Sequence, residues 1–160
     1  MGDWLFFALT LSSALGSSLM AGVFFAFSTF VMRALSRLPA AQGIAAMQSI
    51  NVAVINPVFL GVFLGTAVAC AIAIVEALLH WSAPGSAWLL AGGALYLVGT
   101  FLVTMLFNVP LNDSLAKVTP NDPDGPRRWS DYVRRWTAWN HVRTGAALAA
   151  TALFAIALCR

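Results

Sequence analysis

The residues best suited to chemistry lie close together in the stretch 129–145, WSDYVRRWTAWNHVRTG. The charged side chains Arg127, Arg128, Asp131, Arg134 and Arg135 fall on one side of a helix over this region. At about 100° per residue, the roughly opposite stripe runs from aromatic rings into an amide and a guanidinium: Trp129, Tyr132, Val133, Trp136, Asn140 and Arg143. The stripe therefore offers ring faces, hydrogen-bond donors and a fixed positive charge.

Arg143 and its neighbour His141 each allow two interpretations. An arginine that faces other membrane helices is costly unless it is paired or used, which favours a functional site. Alternatively, Arg143 reaches the lipid headgroups, or it is held by Asp113 or by backbone carbonyls. His141 lies about 100° from Asn140, on a face that meets lipid headgroups or a different helix. Arg143 is thus the sharper candidate.

The elements that position these residues are membrane helices. Of the 160 residues, 60% are hydrophobic and 9% are charged, compared with about 25% charged in a soluble domain. Charge-free runs predict four spans, at about 4–32, 56–79, 86–108 and 137–159. We therefore predict a single transmembrane domain over 1–160 with an all-α fold, an integral membrane four-helix bundle. Its basic loops indicate contact with membrane lipids, and nucleic acid is excluded as a partner.

Two further segments complete the predicted fold. The stretch 39–54 predicts a short interfacial helix between the first and second spans. Pro110 is expected to end the third span near Asn108, so that a loop of about 109–128 follows. An amphipathic helical extension then leads into the fourth span without a break.

The distribution of Lys and Arg predicts the orientation. The first loop holds Arg33 and Arg37, the third loop is rich in basic residues, and the short second loop has none. The positive-inside rule then places the first and third loops in the cytoplasm and both termini outside. The expected location is the cell (inner) membrane, with the chain crossing it several times.

Small residues recur at every fourth position in the first two spans. They are Ala14, Ser18, Gly22 and Ala26 in the first, and Gly61, Gly65, Ala69, Ala73 and Ala77 in the second. Small side chains let helix backbones approach each other in lipid. The two ladders therefore predict either the seams of the bundle or the contact face of a homo-oligomer.

In an antiparallel bundle, the polar side chains of distant segments converge at the cytoplasmic end. The outer halves carry little beyond Glu76 and His80. The cytoplasmic ends carry Ser28, Thr29, Asn51, Asn56, Asn108, Asn112, Trp136, Asn140, His141 and Arg143. Because polar residues inside a bundle mark substrate or ion pathways, we predict a pocket there for a small hydrophobic aromatic or lipid-like ligand.

The sequence predicts neither a metal site nor a disulfide. Glu76 and His80 are four residues apart and are expected to form an ion pair. Cys70 and Cys159 lie inside predicted spans, so neither a disulfide framework nor a zinc site is indicated. His80 and His141 belong to opposite membrane faces, which argues against a haem held by two histidines.

Two asparagines beside prolines have structural alternatives to a ligand contact. Asn56 precedes Pro57, a pattern typical of a helix N-cap followed by proline in the first turn. Asn108 either satisfies the carbonyls that Pro110 frees or contacts a ligand.

Four stretches together resemble a known family. They are FSTFVM (27–32), MQSIN followed by NP (47–57), NVPLND (108–113) and WTAWNHVRT (136–144). They are similar to the anthrone oxygenase-like family of small four-helix membrane proteins, and the resemblance covers nearly the whole chain. Some members are similar to enzymes of aromatic polyketide pathways that oxidise an anthrone to an anthraquinone with O₂, without flavin or metal. The resemblance therefore implies an oxidoreductase with no cofactor.

The resemblance also implies roles for individual residues. Cofactor-free oxygenation needs an electron-rich carbanion or phenolate, a base, and donors for the developing oxyanion. The implied oxyanion donors are Arg143 and Asn140, with Asn108 and Asn112.

Ring stacking and proton removal complete the implied site. Trp136 and Trp139 are expected to stack on the substrate rings, and His141 is the nearby group that titrates near neutrality. The leading hypothesis is an integral membrane oxygenase acting on a small apolar aromatic. The alternative is a non-catalytic membrane module that binds a lipid, quinone or hydrophobic metabolite, or a subunit of a membrane complex; a transporter is third.

Overall fold

The computed structural model describes residues 3–119 and 122–160. Its helices are α1 (Trp4–Leu35), α2 (Ala40–Ala53), α3 (Pro57–Leu79), α4 (Ser86–Ala116) and α5 (Gly125–Leu158). All but α2 are long and apolar enough to cross a membrane, and the described residues contain no strand. The predicted all-α membrane bundle, with a short helix between its first two spans, is therefore confirmed.

The four long helices form a four-sided bundle. α1 packs against α3 and α5, and α4 packs against the same two helices. α2 lies across one end, against α5 and the last turns of α4. Because α1, α2 and α4 all pack against it, α5 is the element on which the rest of the fold is assembled.

α5 is longer than a membrane crossing requires. Its 34 residues span about 51 Å at 1.5 Å per residue, compared with roughly 30 Å of hydrocarbon in a bilayer. Pro126 lies in its first turn, where a missing N–H leaves no hydrogen bond unmade. The first turns of α5 therefore form the predicted amphipathic extension.

The extension of α5 packs on α2 and α4 through a second apolar core outside the main bundle. Gln48 of α2 donates from Nε2 to the carbonyl oxygens of Leu115 (2.9 Å) and Val118 (3.0 Å), which satisfies the end of α4. The buried core residues are Met32, Ile44, Met47, Leu115, Val118, Trp129, Tyr132 and Trp136. This core fixes the aromatic stripe of α5.

The predicted boundary between the last two spans differs from the observed one. The sequence predicted a helix end at Asn108 and a loop over 109–128. Instead, α4 continues to Ala116 and α5 begins at Gly125. Residues 120 and 121 of the predicted loop lie outside the described residues.

The reason for this difference is the geometry of α4 before Pro110. The segment just before it is π-helical, and the N–H of Val109 bonds to the carbonyl of Thr104, five residues earlier. Proline is tolerated in membrane helices where such local π adjustments satisfy the freed backbone groups. The backbone before the proline therefore forms hydrogen bonds five residues apart instead of four, and the helix continues.

The prediction that the small-residue ladders form the bundle seams is wrong for Gly22, Gly61 and Gly65. A methyl group added at any of the three would meet nothing within 4 Å. Close approaches occur at other glycines, among them Gly16, which faces Thr66, and Gly99, which faces Ala146. In uniformly apolar spans, small residues that face lipid resemble those that face a neighbour, so spacing alone did not distinguish them. The homo-oligomer stays a prediction.

Candidate functional site

Arg143 lies in the interior of the bundle, with 6% of its surface exposed. Its Nε donates to Oδ1 of Asn140 (2.8 Å), and one terminal nitrogen donates to Oγ1 of Thr104 (3.3 Å). Its backbone carbonyl accepts a hydrogen bond from Oγ1 of Thr100 (3.3 Å). The side chain therefore neither reaches the headgroups nor faces lipid, and α4 holds it on one side.

Two aromatic rings enclose the guanidinium of Arg143. The guanidinium carbon lies 4.1 Å from the ring centroid of Phe24 and 4.8 Å from that of Trp136. None of the ion pairs among residues 3–119 and 122–160 includes Arg143, and Asp113 is exposed. The charge is therefore held by ring faces and neutral hydrogen-bond acceptors, which leaves its attraction for an anion uncancelled.

Asn140 is fully buried, and its amide ties α5 to α1. Its Nδ2 donates to the carbonyl of Phe24 (2.7 Å) and to Oγ of Ser28 (2.6 Å), while Oδ1 accepts from Arg143. Ser28 also lies 3.1 Å from Oγ1 of Thr144, which donates to the Asn140 carbonyl (2.7 Å). Because both amide hydrogens are used inside the protein, Asn140 positions Arg143.

Asn112 orients the ring that covers Arg143. Its Oδ1 accepts one hydrogen bond from Nε1 of Trp136 (2.8 Å) and another from the hydroxyl of Tyr132 (2.9 Å). Trp136 also packs against Phe27, with 5.6 Å between ring centroids. Trp136 is therefore fixed over the guanidinium by a hydrogen bond at one edge and an aromatic contact at another.

Asn108 presents an unpaired acceptor next to this cluster. Its Nδ2 donates to the carbonyl of Trp136 (3.2 Å), whereas its buried Oδ1 has no hydrogen-bond partner. Thr104, one turn earlier on α4, contacts Arg143. The site thus combines a cationic donor and a free amide acceptor on the same pair of helices, an arrangement that suits an ionised oxygen and a hydroxyl group.

Three predicted site residues lie apart from this cluster. His141 is exposed on α5. Trp139 is half-buried and stacks face to face on Phe107, with ring centroids 3.7 Å apart. Asn56 is the N-cap of α3, where Oδ1 accepts from the backbone N–H groups of residues 58 (3.1 Å) and 59 (3.0 Å).

The π-helical segments were not predicted, and they shape the site. They are Phe27–Val31 in α1, and Leu95–Leu102 and Thr104–Asn108 in α4. In an α-helix, residues four apart drift by about 40° per step, and the larger π turn reverses this drift. The mixed geometry keeps Thr100, Thr104 and Asn108 against α5. The four-residue polar spacing in α4 is the sequence signal that could have revealed it.

A second group of polar side chains corrects the prediction that the outer halves carry little beyond Glu76 and His80. Glu76 and His80 do lie side by side, with Nδ1 of His80 3.3 Å from a carboxylate oxygen of Glu76. Six further residues are buried in the bundle farther from the predicted cytoplasmic end: Thr10, Ser13, Ser17, Thr66, Cys70 and Tyr96. Ser and Thr side chains can donate to carbonyls of their own helix, as Thr10 does to Phe6 (2.8 Å), so they need no partner on another helix. For this reason their presence in an apolar span did not indicate a polar group in the interior.

Among the described residues, no three His, Cys, Asp or Glu side chains lie close enough to hold a metal ion.

Three residues around Arg143 were not predicted as site residues from the sequence. Phe24 contacts the guanidinium, yet a phenylalanine within an apolar run gives no functional signal in the sequence. Ser28 and Thr104 were visible as polar residues, but their contact with α5 was not.

Comparison with known proteins gives one family assignment. The model of the anthrone oxygenase family matches residues 54–153, which is more than half of the chain. The matched region includes α3, α4 and α5 as far as Leu153, and therefore Asn108, Asn140 and Arg143. Searches among curated proteins and solved structures find no match. This match covers most of the polar cluster around Arg143, and it shows that the chain belongs to the anthrone oxygenase family.

Proposed function

We propose that this membrane protein is an oxidoreductase that uses O₂ to oxidise a small apolar aromatic ketone of the anthrone type. The observation that supports the proposal is the guanidinium of Arg143. It is buried, fixed by Asn140 and Trp136, and has no carboxylate partner among the described residues. An ionised ring oxygen would supply the missing negative charge, and the enclosing rings suit an aromatic ligand.

The reaction proposed for this site is the oxidation of a ring methylene to a carbonyl. Loss of a proton from the methylene gives an anion whose charge lies largely on the ring oxygen. Arg143 stabilises that anion, which is electron-rich enough to reduce O₂. Overall, O₂ accepts four electrons; one oxygen atom enters the new carbonyl, and the other leaves as water with the two methylene hydrogens. Arg143 serves as an oxyanion donor and accepts no proton.

The absence of a base beside Arg143 favours a second candidate function. Within the described part of the chain, no His, Asp or Glu side chain bonds to Arg143 or Asn140, and His141 is exposed. A site with a cation but no proton acceptor also suits a non-catalytic module that binds an anionic lipid, a quinone or a hydrophobic metabolite. Binding without turnover would identify this function.

We also propose an orientation in the cell membrane. Support comes from the basic residues near α2 and the extension of α5, at one end of the bundle, whereas the α3–α4 connection at the other end carries none. This end would lie in the cytoplasm. The proposed substrate would then reach Arg143 from the inner leaflet, in which apolar aromatics and O₂ both dissolve.

Turnover of anthrone itself tests the proposed function. The full chain is reconstituted in lipid nanodiscs, and O₂ uptake is measured together with the absorbance of anthraquinone. Removing one oxyanion donor typically lowers the turnover rate by about 10²–10³-fold, so this loss is expected for Arg143→Gln. Arg127→Gln, at an exposed position on the same helix, is the control and should keep full turnover.

Three outcomes of this assay are informative. Equal turnover in Arg143→Gln and the wild type would show that the site is wrongly assigned. Anthrone binding that needs Arg143, without O₂ uptake by the wild type, would support the non-catalytic module. Turnover retained in His141→Ala would show that the exposed histidine is not the base that the family resemblance implies.

A further inference from the structure

A surface groove lies between the last turns of α4 and the extension of α5. Its volume is about 150 Å³. One wall is apolar and comes from α4 and the residues that follow it: Leu111, Leu115 and Val118. The other wall belongs to α5. Tyr132 also lines the groove, and because its hydroxyl bonds to Asn112, the groove adjoins the cluster around Arg143. None of the residues that contact the Arg143 guanidinium lines the groove.

The α5 wall of the groove is basic. Arg128 and Arg135 both line it, and Ser114 adds a hydroxyl from α4. Arg135 forms no ion pair with the described residues, and Arg128 lies 3.3 Å from Asp122 while remaining half exposed. The one acidic residue in the wall, Asp131, is already paired with an arginine outside the groove (3.1 Å). The groove therefore has excess positive charge beside an apolar surface.

The length of α5 places this groove at the depth of the headgroups. If the hydrocarbon ends near Leu158, its roughly 30 Å covers about 20 residues, back to about Trp139. Arg135 then lies one turn outside the hydrocarbon, in the headgroup layer, and Arg128 lies two turns further out. The apolar wall begins at Leu111, across the groove from these arginines.

We infer that this groove binds the phosphate headgroup of an anionic phospholipid. Arg135, in the headgroup layer, supplies charge-assisted hydrogen bonds to phosphate, and Arg128 adds positive charge at the outer end of the groove. The apolar wall at headgroup depth accommodates the start of an acyl chain. A free phosphate ion has no apolar part and would leave this wall uncovered. The inference does not depend on the proposed function, because neither Arg143 nor any residue that contacts its guanidinium lines the groove.

Lipid titration of the delipidated full chain in detergent tests this site. Native mass spectrometry counts bound phosphatidylglycerol or phosphatidylcholine at each concentration. The wild type should retain one phosphatidylglycerol at concentrations where phosphatidylcholine does not bind. Arg135→Gln should weaken the apparent affinity for phosphatidylglycerol on the order of ten-fold, because the charged hydrogen bonds between Arg135 and the phosphate are lost. Arg127→Gln, an equal charge change on the same helix outside the groove, should leave the affinity unchanged.

The other outcomes would overturn the inference. Equal weakening by Arg135→Gln and Arg127→Gln would mean that the lipid responds to the overall charge and not to the groove. Displacement of phosphatidylglycerol by inorganic phosphate alone would identify a site for a free anion. Equal retention of both lipids would show no headgroup recognition. Arg127 and Arg135 are both exposed, so neither substitution is expected to disturb folding. Size-exclusion elution and thermal unfolding of each variant check that it is folded.

Discussion

The guanidinium of Arg143 keeps its charge in the bundle through neutral contacts alone. Inserting an arginine at the centre of a membrane helix costs about 2.5–3.5 kcal/mol on insertion scales, which is an upper bound for Arg143, about one turn inside the hydrocarbon. Two hydrogen bonds to a charged group, at about 1.5–3 kcal/mol each, and two ring contacts of about 1 kcal/mol offset a cost of that size. None of these partners is an anion, so the charge is tolerated but not neutralised. The proposed role of Arg143 as a binding group requires this balance, which a structural ion pair would not leave.

Replacing Arg143 by methionine should therefore leave the free energy of unfolding close to that of the wild type, because the cost of the buried charge and the contacts that offset it are removed together. Asn140→Ala should lower the free energy of unfolding. It removes the hydrogen bonds to the Phe24 carbonyl and to Ser28, leaves the Arg143 Nε without its acceptor, and should cost about 1 kcal/mol or more. Both values are measured by reversible unfolding in mixed lipid–SDS micelles. A loss in Arg143→Met as large as that in Asn140→Ala would assign Arg143 a structural role.

Single residues were predictable where helical spacing alone decides burial. The wheel placed six residues on one stripe, and the structure buries all of them except Val133, which is half-buried: Trp129, Tyr132, Val133, Trp136, Asn140 and Arg143. A wheel gives the direction of a side chain from its own helix axis, and it gives no information about which groups stand opposite.

The predicted residues that lie apart from the site show that limit. Trp139 meets Phe107, a partner on another helix that the wheel does not contain. His141 directly follows Asn140, so it points about 100° away and is exposed. Asn56 caps its own helix, the structural alternative that its proline neighbour favours.

At the scale of elements, the contact between α4 and α5 determines the geometry around Arg143. The backbones approach closely at Gly99, where an added methyl would overlap the side chain of Ala146. One turn further, Thr104 bonds to the guanidinium. Hydropathy predicted both helices, but a π-helical segment has the same composition as an α-helical one. The register between the two helices was therefore not available from the sequence.

Gly99→Ala should separate α4 from α5, because the Ala146 methyl is attached to its backbone and cannot move aside. Overpacking of this kind typically costs about 1–3 kcal/mol. We expect a lower thermal unfolding midpoint in detergent. Gly22→Ala is the matched control, since nothing lies within 4 Å of a methyl group there, and its midpoint should be unchanged or higher. Equal midpoints for Gly99→Ala and the wild type would contradict the observed packing.

At the scale of the whole molecule, one end of the bundle differs from the other in charge and structure. The end with α2 and the α5 extension holds the second core, the basic groove and the polar cluster. The four spans were predictable because composition and length suffice to recognise them. Which helices pack against each other was not predictable, since lipid-facing and buried apolar residues are of the same types. Hydroxyl side chains such as those of Ser13 and Ser17 differ little from them in hydropathy.

The proposed orientation makes a prediction that the two native cysteines can test. Cys70 is buried, whereas Cys159, directly after α5, is exposed at the end opposite α2. With that end outside the cell, a membrane-impermeant maleimide should label the wild type in intact cells, and Cys159→Ser should abolish labelling. In the Cys159→Ser background, a cysteine introduced by Ser130→Cys, on the exposed part of the α5 extension, should react only after permeabilisation. The reverse pattern would place the basic end outside, against the positive-inside rule, and would move the polar cluster and the basic groove to the outer leaflet.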